Sequence, residues 1–190
     1  MEYEKLTDDE SKQKEVARVI REAFAGVTLG DGVGLWWGQV LDSYRLPDSV
    51  ADYHANHERN EERQDWSRIP ADDLYLCYSS LSFFDAKGIR FHLPAFMLLE
   101  LSDRCGWVVY SLMGVVRSKD IDAKLAEYNR EQCSLLDQKQ RMAVRSFLLY
   151  CKDHPEYQFH VPDIECALNK YWVEDTPIPI PKQSQSCQSC

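Results

Sequence analysis

The stretch from Trp66 to Leu101 constrains the fold most. It opens Trp66-Ser67-Arg68-Ile69-Pro70-Ala71-Asp72-Asp73-Leu74, continues through aliphatic and aromatic residues, and reaches Phe91-His92-Leu93-Pro94 and a second apolar run. Chain this apolar must be buried, and its spacing is helical. Ile69-Pro70 reads as a helix entry, since proline tolerates the first turn and Asp72 and Asp73 suit the positive helix end. Leu74, Cys77, Tyr78, Leu81 and Phe84 then form one helical stripe, with Leu76 and Phe83 on the opposite side. An element apolar on two sides is expected to be covered on two sides, in the middle of a bundle. Ser79, Ser80 and Ser82 are small enough to let neighbouring helices approach.

Asp85-Ala86-Lys87-Gly88 is expected to break that helix, with Gly88 supplying a positive φ. Ile89–His92 is then expected to be extended or irregular, because residues before a proline avoid the helical region. Pro94 would open a second helix, Ala95–Leu101. That helix is far shorter than the roughly 20 apolar residues that a membrane span needs, so it is a core helix.

The block Tyr78-Ser79-Ser80-Leu81-Ser82-Phe83-Phe84-Asp85-Ala86-Lys87-Gly88-Ile89-Arg90-Phe91-His92-Leu93-Pro94-Ala95-Phe96 resembles the signature of a bacterial domain family of unknown function. Glu61–Pro70 resembles its lead-in, and Gln140–Leu148 is similar to its late helix. The resemblance spans roughly Phe24 to Trp172 and implies no activity.

A 190-residue chain is long enough for one domain with a sizeable core, and 44% hydrophobic content excludes disorder as the general reading. A net charge of −9 repels phosphate backbones, so nucleic acid is not an expected partner. Met1-Glu2-Tyr3-Glu4-Lys5 lacks the apolar core of a signal peptide. The seven cysteines are odd in number, and Cys77, Cys151 and Cys166 fall on apolar stripes, where a thiol acts as a small hydrophobe. A reduced, cytoplasmic protein with no membrane association is expected.

Thr7-Asp8-Asp9-Glu10 has the form of a capping box before a helix whose face is Val16, Val19, Ile20, Ala23 and Phe24, ended by Gly26. Gly30-Asp31-Gly32-Val33-Gly34 lacks both nucleotide-loop spacings and reads as an interhelical turn. Val33, Trp36, Trp37, Val40, Leu41 and Tyr44 define a second helix, its tryptophans read as core. His54 and His57, with Glu58, Glu61 and Glu62 a turn further, have a loose metal-ligand spacing. No H-E-x-x-H pattern is present, and a solvated charged face is the favoured reading, so no metal is expected. Trp107–Met113 is β-prone, Ile121–Tyr128 a weak helix or loop. Asp137 and Gln140 form the ends of a second capping box, before a helix with Ala143, Val144, Phe147, Leu148 and Cys151 inside and Lys139, Arg141, Arg145 and Lys152 outside. The last helix, from Pro162, carries Ile164, Ala167, Leu168, Tyr171 and Trp172. Thr176–Pro181 is a proline strap, and Lys182–Cys190 is a low-complexity tail whose terminal C-x-x-C lacks redox or zinc context.

The fold class expected is therefore mainly α: a single-domain bundle of about six helices over 1–172, with a minor β element near 107–113, then the strap and tail of 173–190. The best polar constellation is Asp85, Arg90 and His92, a carboxylate, a guanidinium and an imidazole in one short segment. It reads first as a buried network satisfying a loop, and second as an acid–base or small-ligand site. No catalytic residue, cofactor or metal is assigned. The leading functional expectation is a non-enzymatic domain, regulatory or immunity-type, that binds another protein; a small-ligand receptor or enzyme built on Asp85, Arg90 and His92 is the alternative.

Overall fold

The computed structural model describes residues 2–42, 61–116 and 120–173. Within them the chain forms eight α-helices joined by short 3-10 turns, and no strand. They are α1 (Glu2–Ala23), α2 (Leu35–Asp42), α3 (Ala71–Leu76), α4 (Ala86–Asp103), α5 (Trp107–Met113), α6 (Asp120–Gln132), α7 (Gln138–Asp153) and α8 (Val161–Lys170). The mainly α expectation holds, with eight helices rather than about six.

The axis of the bundle is α4, and here the sequence reading is corrected. Asp85 does not end a helix; its carboxylate begins one, accepting from the Gly88 amide at 2.8 Å. Gly88 has an ordinary φ, Ile89–His92 is helical, and Pro94 lies inside the helix rather than opening it. Proline costs an interior helix a hydrogen bond and some crowding. The offset is burial on every side: Ile89, Phe91, Leu93, Phe96, Met97 and Leu101 are all within the core.

The segment before α4, expected to be the sandwiched helix, is instead broken at Cys77 into α3 and a 3-10 turn, Tyr78–Ser82. Leu74, Cys77, Leu81 and Phe84 are buried as the stripe requires, but Tyr78 is 49% exposed and Leu76 66%. One side only is covered, and the sandwiched role belongs to α4. The small serines do permit close approach: α2 lies on the 3-10 turn with Gly38 so near that a Cβ there would meet the Ser80 Cβ at 2.7 Å. The Ser80 hydroxyl donates to the Leu35 carbonyl.

Trp107–Met113 is a helix and not a strand. Val108, Val109, Leu112 and Met113 are buried, a helical face, whereas alternation would have split them between two sides. Gly106, at φ +83, turns the chain into α5, and the Glu100 carboxylate accepts its amide. α1 starts at Glu2 and runs through Thr7, which is therefore not a cap; Ile20 and Phe24 are fully buried. The capping box at Asp137 and Gln140 is present as read, and Ala143, Val144, Phe147, Leu148 and Cys151 are buried on α7.

Arg141 and Arg145 do not form an outer cationic side. Arg141 is buried, lies 4.5 Å over the Tyr171 ring and donates to the Tyr171 carbonyl. Arg145 donates to the carbonyls of Leu168 and Trp172. Both neutralise the negative end of α8, whose last carbonyls lack helical partners. Trp172 completes the core and donates to the Leu112 carbonyl of α5. Tyr44, His54, His57, Glu58, the proline strap and the C-x-x-C lie outside the described residues.

Candidate functional site

Asp85 and His92 come together at the start of α4, and Arg90 does not join them. One Asp85 oxygen accepts from both Gly88 N, at 2.8 Å, and Val33 N, at 2.9 Å, tying α4 to the glycine loop. His92 is fully buried, with Nδ1 2.8 Å from the Gly88 carbonyl and its ring stacked on Phe84 at 4.4 Å between centroids. Arg90 is on another face of the helix, its Nε donating to Gln140 on α7. The Glu100 carboxylate is buried and accepts from the Tyr157 hydroxyl at 2.6 Å.

The residues that complete the node are Glu61 and Arg63. The Glu61 carboxylate caps α2 from outside it, accepting from Leu35 N at 2.6 Å and Trp36 N at 3.2 Å. Arg63 donates to the carbonyls of Gly30 and Gly32, and its own carbonyl accepts from Leu29 N. Glycine is required in this loop: Gly30 has φ +60, and a Cβ at Gly34 would fall on the Glu61 carboxylate. The loop is thus an interhelical turn, held by Glu61, Arg63 and Asp85.

Electrostatics confirm how closed the node is. Burial lowers the His92 pKa to about 4, against a smaller upward effect of the Gly88 carbonyl, so the ring is neutral at pH 7. Its Nδ1 carries the hydrogen toward Gly88, leaving Nε2 without a hydrogen-bond partner, 4.0 Å from a Glu61 oxygen. With a neutral ring that approach is not an ion pair. Burial also raises the Glu61 pKa, although the two α2 amides oppose it. Apart from His92 Nε2, these groups are engaged in joining the glycine loop, α2 and α4. Among the described residues, no group of three or more His, Cys, Asp and Glu side chains is placed to hold a metal.

Two open clefts lie elsewhere, and none of Asp85, Arg90 and His92 lines either. One, of about 480 Å³ between α1 and α7, is bordered by Asp9, Lys12, Tyr150 and His154. Beside it Arg104, the one non-glycine residue with positive φ among those described, reaches Asp9 and Tyr150.

The other, of about 440 Å³, runs between the Tyr78–Ser82 turn, α5 and α6. Tyr78, Trp107, Tyr110, Leu125 and Tyr128 line it. Tyr78 stacks on Trp107 with centroids 4.7 Å apart, and Tyr75 meets the same indole edge-on. The Tyr128 hydroxyl donates to the Ser82 carbonyl, fixing the far wall. Tyr110 is 58% exposed, and Tyr78, Leu125 and Tyr128 are also open to solvent. None of these residues was singled out from the sequence as a site. The available signal was Tyr110, which stands apart from Val108, Val109, Leu112 and Met113 once the segment is wound as a helix.

The model of a family of unknown function, DUF6714, matches residues 12–176, most of the chain. The chain belongs to that family. The DUF6714 match extends beyond both ends of the Phe24–Trp172 resemblance, and it includes the glycine loop, all of α4 and the aromatic cleft. No curated protein and no solved structure matches the chain. No helix among the described residues is long and apolar enough to cross a membrane.

Proposed function

We propose that this DUF6714 protein is a non-enzymatic, cytoplasmic binding domain that recognises another protein through the cleft between the Tyr78–Ser82 turn, α5 and α6. The observation that carries this reading is the gathering of Tyr78, Tyr110, Leu125 and Tyr128, each more than one-third exposed, around one concave surface. Large apolar side chains scattered singly are ordinary, whereas a contiguous patch is the usual mark of an interaction surface. Rings held on helices lose little freedom on binding, so they favour affinity and specificity. The state of the Asp85–His92 node supports a binding role over an acid–base one. Asp85 is engaged by two amides, Arg90 by Gln140, and the imidazole lies out of solvent reach. A regulatory or immunity-type partner is the class proposed.

The test is co-purification from the native cell with the wild-type chain and with Tyr110→Ala combined with Leu125→Ala. Both positions are exposed, so the double variant should fold. A stoichiometric partner retained by wild type and lost by the variant is expected. A partner retained equally by both, or absent from both, would overturn the reading.

A further inference from the structure

The last described residues are fastened to the same two helices that wall the aromatic cleft. Trp172 donates to the Leu112 carbonyl of α5, and the Tyr171 hydroxyl donates to the Arg130 carbonyl of α6. Each acceptor is the chain neighbour of a lining residue, Ser111 and Asn129 respectively. At that end α5 and α6 close on one another, since a Cβ on Gly114 would strike the Asn129 side chain. Shortly beyond Val173 the sequence reads Thr176-Pro177-Ile178-Pro179-Ile180-Pro181.

A segment of this composition suits this lining. Proline at every second position fixes φ near the polyproline value, so an extended strand loses little freedom on docking. Such strands seat in grooves walled by aromatic rings. Here the Tyr78–Trp107 stack joins the turn to α5 on one side, and Leu125 and Tyr128 of α6 lie on the other. Charge agrees: Thr176–Pro181 carries no ionisable side chain, and the described lining contains no Asp, Glu, Lys or Arg. Length agrees as well. At about 3.1 Å per residue, the chain from Val173 reaches Pro177 over about 12 Å, and the strap spans about 19 Å. The α5 wall from Trp107 to Gly114 is about 11 Å long.

We propose that the chain's own Thr176–Pro181 strap lies along this cleft in the free protein, so that a partner enters by displacing it. The displacement rests on the binding role proposed above; the contact itself does not. Tethering places the strap at about millimolar effective concentration, whereas the strap of a second copy must overcome a net charge of −9 on each chain.

The test is NMR on the full-length chain with labelled isoleucine methyl groups, Ile178 and Ile180 being assigned through replacement by valine. Both methyls should show nuclear Overhauser contacts to the ring protons of Trp107 and Tyr128. Replacing Pro177, Pro179 and Pro181 together by serine should remove those contacts and shift the Trp107 indole, while the Trp172 indole stays in place. A capped Thr-Pro-Ile-Pro-Ile-Pro peptide should bind that variant about tenfold more tightly than wild type, where the tethered strap competes. Absence of the contacts, or equal peptide affinity for the two chains, would overturn the strap assignment and leave the partner to the co-purification. Contacts found only between differently labelled chains in a mixed sample would give the strap to a second copy and overturn the proposal too. Contacts present within one chain, with no partner in the co-purification, would uphold the strap and overturn the binding role alone.

Discussion

At the scale of single residues, the node that joins the glycine loop to α4 makes the clearest commitments. His92 is neutral when folded, with a pKa near 4, and its unfolded counterpart titrates near 6.5. The unfolded chain therefore takes up the proton first as pH falls. The stability linked to this group is complete above about pH 6.5, declines toward pH 4, and amounts to about 3 kcal/mol over that interval. Glu61 opposes this, since its raised pKa means that the folded state takes up its proton earlier than the unfolded chain. Urea midpoints measured at pH 7 and pH 4.5 should show His92→Gln losing less stability on acidification than wild type; equal losses would refute the assignment. Glu61→Ala removes the acceptor of two helix-end amides and should cost about 1–2 kcal/mol at pH 7 by the same measurement. Nothing in the local sequence marks Glu61 as a cap, because capping signals are read within a few residues and its partner helix begins 26 positions earlier. Asp85 and His92 were legible as polar residues in an apolar setting. That Arg90 would separate from them follows only once the segment is a helix, where residues two apart face different ways.

At the scale of elements, the contact of α2 with the Tyr78–Ser82 turn leaves no room for growth. Gly38→Ala would push a methyl into the Ser80 side chain and should cost about 1–3 kcal/mol in chemical denaturation. Phe84, fully buried against the His92 ring, should cost about 3–5 kcal/mol when replaced by alanine. A loss under about 1 kcal/mol would mean that the turn packs far more loosely. The start and buried stripe of α7 were legible because local signals agree, an Asp137 and Gln140 box and then apolar residues at helical spacing, whereas the inward turn of Arg141 and Arg145 was not, since their acceptors lie at the end of α8. α4 was misread because Gly88 and Pro94 are helix breakers in isolation, and tertiary burial outweighs propensity. α5 was misread for a related reason. Its valines favour strands, and the residues that start it, Gly106 and the Glu100 carboxylate six positions earlier, act through geometry rather than composition.

At the scale of the whole molecule, burial sorts the described cysteines into two sets. Desolvation raises the Cys77 and Cys133 thiols to about 12 and Cys151 further still, whereas Cys105 and Cys166 are partly exposed. Iodoacetamide at about pH 8, followed by mass spectrometry of the native chain, should alkylate Cys105 and Cys166 while Cys77, Cys133 and Cys151 remain unmodified. Early modification of the latter three would show that the core opens readily. The mainly α character of the domain was visible in the sequence because periodicity is a property of each segment. The aromatic cleft was not, since its rings come from a turn and two helices separated in the chain. The Glu61 clamp carries one consequence for how such chains can diverge. Because Glu61 is fastened to the amides of Leu35 and Trp36, and Arg63 to the carbonyls of Gly30 and Gly32, a change in the backbone of the glycine loop has to be matched at both side chains.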